Sequence, residues 1–525
     1  MTIAVFLFLF VDGPPSITGQ TISLENELWM AVGNVHPHWD RLGDSFVDIG
    51  DLVWFRDTFF EEVTLASGIQ AAHHMVPDFF ASGQAWGDID NDGWMDLYVT
   101  DSNGPNTLYR NKGDGSFEAV FANTNLAQIG SSGAVFADYN NDGWSDLYVL
   151  NHGANVLFRN LAGKGFEDVT QIAGVGDTRK GASGSWADFN NDGFLDLYVV
   201  NWGEPGTFED VFYQSNGDGT FSDITPVLGP RTQGAGFVLS FLDFDNDADL
   251  DLYLVEDKLL GNVLWRNDGG GCAPWCFTEI ATQAGAGTQV FGMGLAVGDY
   301  DGDLDLDLYF SNIGPMHLLQ NQTSQGTPQF IDAGSAAGVD FDTIGWGSVF
   351  LDYDNDSWPD LYLATSPNEI SQVNRLYRNL GDGSFQDLSY KSGAANQAMS
   401  LGVAAADYNR DGRLDLIVGN MGSGYALYKN RTRGGHWLSV RLKGGGPVNA
   451  DAIGARVTAT LSNGRMLLGE VKCGSSLGAG NDLALHFGLG QASVVQLHIR
   501  WPDGLTQNYG EVSSDQFLTL LYPKP

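Results

Sequence analysis

Short apolar runs recur along residues 60–430 without the 3.6-residue period of an amphipathic helix. Leu97-Tyr-Val-Thr, Leu147-Tyr-Val-Leu, Leu197-Tyr-Val-Val and Leu252-Tyr-Leu-Val are β-branched and aromatic stretches of strand length. A second strand ends each unit's next stretch, as in Leu108-Tyr-Arg-Asn111, Leu157-Phe-Arg-Asn160, Leu264-Trp-Arg-Asn267 and Leu376-Tyr-Arg-Asn379. Turns such as Gly113-Asp-Gly115, Gly217-Asp-Gly219 and Gly381-Asp-Gly383 follow. Asp-Gly between apolar runs is a hairpin signal, because glycine reaches positive φ at no steric cost. A third strand comes next: Phe166-Glu-Asp-Val-Thr170, Phe221-Ser-Asp-Ile-Thr225 or Phe385-Gln-Asp-Leu-Ser389. A fourth, rich in small residues, leads into the following unit, as in Gly184-Ser-Trp-Ala-Asp188. Four strands per unit is the composition of a propeller blade.

Between the fourth strand of one unit and the first strand of the next lies a nine-residue window with oxygen-bearing side chains at positions 1, 3, 5 and 9. The seven windows carry Asp88, Asp90, Asp92 and Asp96; Asp138, Asn140, Asp142 and Asp146; Asp188, Asn190, Asp192 and Asp196; Asp243, Asp245, Asp247 and Asp251; Asp299, Asp301, Asp303 and Asp307; Asp352, Asp354, Asp356 and Asp360; and Asp407, Asn409, Asp411 and Asp415. Oxygens packed so densely repel one another unless a cation sits among them. Calcium suits them, since it takes six to eight hard oxygen ligands in flexible geometry. A backbone carbonyl at position 7, Trp94 in the first window, would complete the shell. The pattern predicts several calcium ions, up to seven. Position 6 is glycine in four windows but Ala248, Leu304 and Ser357 in the fourth, fifth and sixth, where a Cβ is expected to resist the turn.

The windows start 50, 50, 55, 56, 53 and 55 residues apart, a period that indicates a stacked or ringed array. The seventh unit has its window and its Leu427-Tyr-Lys-Asn430 strand but no Phe-x-Asp-x-Thr strand after it. The missing copy stands upstream of the first window as Phe60-Glu-Glu-Val-Thr64. This offset predicts an all-β fold in which residues near 60 close the last blade of a seven-bladed β-propeller spanning 59–430. Closure removes the free sheet edges that an open array would leave.

Composition fits this architecture. The 525 residues are 43% hydrophobic, with 14 Trp, 18 Tyr and 31 Phe, enough for a large core and a satellite domain. The net charge of −39 derives largely from the windows, which hold four ligand-position aspartates in the first, fourth, fifth and sixth and three in the others, 25 in all. Seven calcium ions would return +14 and leave about −25. Such acidity argues against nucleic acid as a partner, and no apolar run reaches the length of a membrane span. The apolar stretch of residues 3–11 resembles the core of a signal peptide within 1–20, although no Lys or Arg precedes it. Calcium sites of modest affinity fill where calcium is millimolar, so an extracellular, periplasmic or cell-surface location is expected. Residues 21–58 fit no repeat. Cys272 and Cys276 lie close enough to pair locally in an oxidising compartment, or stand as two thiols; Cys473 is odd.

Residues of about 60–430 resemble the FG-GAP/VCBS repeats of integrin α-subunit propellers and of many secreted bacterial proteins. After Asn430 the pattern changes. His436-Trp-Leu-Ser-Val-Arg-Leu, Asn449-Ala-Asp-Ala-Ile-Gly-Ala-Arg-Val457, Leu485-His-Phe-Gly-Leu-Gly490 and Arg500-Trp-Pro-Asp-Gly504 resemble the ASPIC/UnbV domain of the cartilage acidic protein and UnbV-like families. One stretch departs from that resemblance: Gly474-Ser-Ser-Leu-Gly-Ala-Gly-Asn481 stands where the family carries a Gly-x-x-x-Ser-Gln-Ser-like segment. Residues 431–525 also alternate apolar and polar positions, as in Val495-Gln-Leu-His-Ile499, which predicts a small antiparallel β-domain.

Two classes of function are compatible with these features. One is a calcium-stabilised, secreted interaction or adhesion-type module recognising a protein or glycan. The other, implied by the resemblance to proteins of enediyne clusters, is a calcium-dependent enzyme of specialised metabolism catalysing a cyclisation or rearrangement on a small molecule. No Gly-x-Ser-x-Gly, His-Glu-x-x-His or phosphate-cradling motif selects the second, and no catalytic residue is assigned. His73, His74, His152, Trp202, His317 and Trp346 occupy connections between strands and are expected to line a ligand surface if those loops gather on one face. His486 is expected to be a satisfied core histidine. Asn321, Asn355 and Asn430 begin glycosylation sequons.

Overall fold

The computed structural model describes residues 58–74, 82–120, 126, 130–203, 209–229, 234–272, 275–324, 326–366, 372–474 and 476–523. The signal-like stretch and residues 21–57 lie outside them. Phe59 onward forms one compact unit.

Seven antiparallel sheets of four strands fill the first part of this unit, one of them extended by a two-residue fifth strand, Ile313–Gly314. The second sheet shows the plan: Ser131–Ala137, Asp146–Asn151, Val156–Asn160 and Phe166–Asp168 pair in chain order. The first strands of the second, third and seventh sheets are buried throughout and rich in Gly, Ala and Ser, which lets them pack closely. The seven first strands touch in a cycle, each with that of the next sheet, and Ser400–Ala406 of the seventh returns to Gln84–Gly87 of the first. The fold is an all-β propeller.

The offset strand sits where the repeat count requires it. Phe60–Glu62 pairs with Gly424–Asn430 on the outside of the seventh sheet, Phe60 opposite Asn430, as Phe166 is opposite Asn160 and Phe385 opposite Asn379. Thr64 Oγ1 accepts the Leu427 N–H at 2.8 Å, the bond that Thr170 makes to Leu157 and Ser389 to Leu376 within their own sheets.

The asparagines that end these strands carry a second closure device. Asn160 Nδ2 donates to the Ile89 carbonyl of the preceding sheet's window, Asn267 to Phe189, Asn321 to Phe244, Asn379 to Tyr300 and Asn430 to Tyr353, all at 2.7–2.9 Å. Asn111 of the first sheet donates to Tyr408 of the seventh at 2.8 Å. Six of the seven sheets are thus stapled to their predecessor; in the third, Ser215 occupies the Asn position. After the outer strands, short helical turns such as Thr170–Ala173 and Ser389–Ser392 are a further addition, too brief to leave a periodic signal.

Two more sheets follow. One joins Leu485–Gly490, His436–Lys443 and Gln516–Leu521, the last two in parallel, so the domain is not purely antiparallel as expected; the other joins Met466–Glu470, Arg456–Leu461, Val494–Arg500 and Thr506–Ser513. Along Val494–Arg500 exposed and buried residues alternate, as the sequence predicts, and Leu438, Val440, Val457, Leu497 and Trp501 share one core with residues of the second, third and fourth sheets.

The segment that departs from the family pattern runs among the innermost strands. Gly480 accepts from Trp86 N–H and donates to the Gln84 carbonyl, and Gly478 accepts from Ala134. Ser185 Oγ donates to the Cys473 carbonyl at 2.6 Å, and Asn481 Oδ1 accepts from Ala405 at 2.9 Å. First, second, third and seventh sheets are all engaged. Leu477, 2% exposed, packs in one cluster with Ala182, Phe237, Met293, Trp346, Leu401 and Met421. Small residues are needed here: a Cβ on Gly83 would lie 2.3 Å from the Gly478 carbonyl oxygen.

Candidate metal centres

Each window folds in the same way. The position-1 carboxylate accepts the N–H groups of positions 5 and 6: Asp88 from Asp92 and Gly93, Asp138 from Asp142 and Gly143, Asp407 from Asp411 and Gly412, at 2.7–3.1 Å. The position-9 carboxylate opens the next strand and accepts the N–H of the Arg-Asn asparagine, as Asp96 does from Asn111 and Asp360 from Asn379, both at 2.7 Å. These bonds curl the loop so that its remaining oxygens face inward.

Position 6 takes positive φ in every window. The expectation that a Cβ would disturb the fourth, fifth and sixth copies is not met: Ala248, Leu304 and Ser357 have φ of 83°, 74° and 81°, beside 87° at Gly93. Their N–H groups bond to Asp243, Asp299 and Asp352 like those of the glycines. The left-handed conformation costs such residues roughly 1–2 kcal/mol, and the paired carboxylate holds them in it.

In four windows three carboxylate oxygens lie within 4.8 Å of one another: Asp88, Asp90 and Asp96; Asp243, Asp245 and Asp251; Asp299, Asp301 and Asp303; Asp352, Asp354 and Asp356. The position-3 oxygens decide the fit. Among the described residues, Oδ1 of Asp90, Asp245, Asp301 and Asp354 is buried without a hydrogen-bond partner. A buried carboxylate oxygen left bare costs free energy that a cation would recover. The second, third and seventh windows have Asn140, Asn190 and Asn409 at position 3, whose Oδ1 accepts the position-5 N–H at 3.0–3.1 Å. Their inward charge is correspondingly smaller.

Removal from water raises many carboxyls at positions 1 and 9 of the windows. It holds Asp96 at about 8 and Asp138, Asp188, Asp299 and Asp407 at about 7, with like charge from neighbouring aspartates adding to it. Asp146, Asp196, Asp251, Asp307, Asp352, Asp360 and Asp415 are pushed well above the carboxylate range by the same desolvation. A divalent cation would compete with protons for these oxygens. The donor set is all hard oxygen, with neither sulfur nor imidazole, and fits calcium.

The C-terminal sheets reach onto several windows. Asp451 Oδ2 accepts the Asp138 N–H at 2.7 Å, and Asn141 Oδ1 accepts from Ala450. Arg456, buried against Glu470, donates to the Asp243 carbonyl, while Arg500 pairs with the Asp243 carboxylate. Arg465 donates to Ser357 Oγ and lies 3.1 Å over the Trp358 ring.

Residues 88–149, 138–199, 243–310 and 352–418 match the FG-GAP-like repeat, and residues 445–525 match the ASPIC and UnbV domain. The chain is an FG-GAP repeat protein with a C-terminal ASPIC/UnbV domain. It resembles the human Cartilage acidic protein 1, with 26% identity over half of this chain and 40% of that protein. The Xenopus tropicalis protein of the same name is 25% identical over 59% of this chain and 48% of its own length. The chain therefore spans less than half of these relatives. Two solved structures are more distantly similar. An Agrocybe aegerita lectin described as recognising non-reducing terminal N-acetylglucosamine is 16% identical, with a TM-score of 0.38 over 65% of this chain and 86% of that one. A BBS1N–ARL6DN complex is 9% identical, with a TM-score of 0.42 over 72% and 99%. At these scores neither bears on function.

Outside the windows, the loop histidines and tryptophans of this FG-GAP protein do not share one open surface. Trp346 is buried beside Leu477, and Trp202 packs on Phe237 with its indole N–H to Asp257. His73 is buried, His74 pairs with Asp101 at 2.6 Å, and His317 pairs with Asp332 of its own sheet. His152 is exposed. His486 meets Asn355 Oδ1 at 2.7 Å and stacks on Trp437, and removal from water pushes its imidazole down to about 4. It joins the ASPIC/UnbV domain to the sixth window. The sequons are closed: Asn321, Asn355 and Asn430 are buried and hydrogen-bonded. Cys272 and Cys276 form a disulfide, and Cys473 is a buried thiol raised to about 12 by desolvation, which makes it inert. Among the described residues no helix is long and apolar enough to cross a membrane.

Proposed function

We propose that this chain is an extracellular, calcium-stabilised binding module of the adhesion type, recognising a protein or a glycan. In this reading the seven sheets form one seven-bladed ring over residues 59–430. The oxygens at positions 1, 3, 5 and 9 hold calcium, in up to seven windows. The observation that carries it is the set of bare, buried position-3 oxygens, Oδ1 of Asp90, Asp245, Asp301 and Asp354, inside loops whose position-1 carboxylates are held by the N–H groups of positions 5 and 6. Calcium bound there stabilises the propeller and its contact with the ASPIC/UnbV domain, leaving recognition to the surfaces between and around the loops. The Cys272–Cys276 disulfide and the resemblance to proteins named for cartilage support an oxidising, extracellular setting. Calorimetry in calcium and in chelator tests the metal, with a higher melting temperature expected in calcium and an unchanged one refuting it. A screen of immobilised glycans and extracellular-matrix proteins in calcium tests the binding role, and saturable turnover of a small molecule would overturn it.

A further inference from the structure

The ASPIC/UnbV domain bonds to the second, fourth and sixth windows, and it meets the first and seventh through Arg441 at Met95, Phe517 at Arg410 and Trp437 at Gly412. There the described residues enclose a cleft of about 390 Å³, within the range of small-ligand sites. One wall is propeller: Asn91, Asp92, Asp407 and Arg410 belong to the two windows. The other is a single face of the parallel pair His436–Lys443 and Gln516–Leu521, in which Leu438, Val440 and Leu442 turn into the core. Alternation then sends Ser439, Arg441 and Lys443 to the cleft, with Phe517 opposite Ser439 and Thr519 opposite Arg441.

Three of the chain's 26 basic residues therefore meet in one cleft of a protein with 65 acidic ones. Two are committed. Arg441 pairs with Asp482, and Arg410 is held over the Phe517 ring at 4.1 Å and donates to the Gly93 carbonyl. Lys443 is not: its ammonium has no hydrogen-bond or ion-pair partner among the described residues. The facing wall carries carboxylates, which repel a bare anion but accept hydrogen bonds from hydroxyls. A ligand satisfying both walls needs one negative group for Lys443 and several hydroxyl donors, with Ser439 and Thr519 between them.

We propose that this cleft binds an acidic saccharide, its carboxylate on Lys443 and its hydroxyls on Ser439, Thr519 and the window oxygens. The assignment rests on the binding-module reading and narrows it to one ligand class and one place. A polyphosphate or acidic peptide would bring charge to both walls and is disfavoured by the same carboxylates.

Titration calorimetry of the whole chain in calcium, with trisaccharides carrying a single terminal galacturonate or a single terminal glucuronate as two sources of uronate, tests the assignment. At least one should bind, galactotriose should not, and Lys443→Ala should weaken binding about tenfold or more. Lys443→Arg should retain most of it. Thr519→Val, which removes one exposed hydroxyl, should weaken binding less and keeps the test valid should Lys443→Ala misfold. Binding unchanged in both variants overturns the site while leaving the module reading intact. Binding of neither uronate by the wild-type chain overturns the ligand class, as does equal binding of penta-aspartate.

Discussion

Replacing Asn111 by alanine cuts the staple that joins the first sheet to the seventh. Its amide donates to the carbonyls of Tyr408 and Met95 at 2.8 and 3.1 Å, and its Oδ1 accepts the Gly113 N–H at 3.0 Å. Each such bond nets about 0.5–1.5 kcal/mol, and the buried carbonyls have no water to turn to, so the loss should total about 2–4 kcal/mol. Asn160 makes the same three bonds at an interior junction, to Ile89, Ser145 and Gly163. In a closed ring the two substitutions should therefore cost alike. Denaturant titration in saturating calcium, comparing midpoints at constant slope, measures both. An Asn111→Ala cost under about 0.5 kcal/mol beside a full Asn160→Ala cost would refute closure through this contact.

Asp88→Ala and Asp142→Ala should each lose one calcium ion by equilibrium dialysis and lower the calcium-loaded melting temperature. A site at a hundredfold excess over its dissociation constant contributes about 2.7 kcal/mol. In chelator, the carboxyls that burial raises, Asp96 to about 8 and Asp138 and Asp407 to about 7, favour folding only while protonated. Their contribution is complete below about pH 4 and is lost as pH rises through those values. The melting temperature should thus fall from pH 5 to 8 in chelator and rise in calcium, which binds only the ionised form; parallel slopes would contradict this. Leu477→Ala should cost about 2–5 kcal/mol as a buried truncation, read by thermal unfolding, and should loosen the ASPIC/UnbV contact in hydrogen exchange.

The nine-residue acidic windows, the period and the displaced outer strand were legible because each is a local pattern repeated along the chain. Ser215 and the six staple asparagines show where local reading stops. The Arg-Asn ending is plain in the sequence, but its partner carbonyl lies roughly 70–80 residues upstream, or 297 downstream for Asn111, and carbonyls carry no sequence signal. Ala248, Leu304 and Ser357 suggested altered loops because steric preference was weighed alone; two hydrogen bonds to one carboxylate outweigh it. The axial course of the segment from Cys473 to Asp482 was hidden for the opposite reason. Its Gly, Ser and Ala residues look like an ordinary turn, and only the Cβ-free approach to Gly83 and Gly133 shows why they are small. Trp346 lies in a connection, yet it is buried beside Leu477 of that same segment, and Trp202 packs on Phe237 of the fourth sheet.

The displaced outer strand also sets a timetable. Thr64 must wait for Leu427, 363 residues later in the chain. At about 5–20 residues per second of synthesis, the interval is on the order of 20–70 s. Throughout it Phe60 has no sheet to cover it, and the seventh sheet's future partner is an unpaired edge. The residues that fill the axis emerge later still. Complete tertiary structure is thus reached only after nearly the whole chain is available, so a ribosome that stalls before Asn430 releases an open array, with the edge liability that closure otherwise removes.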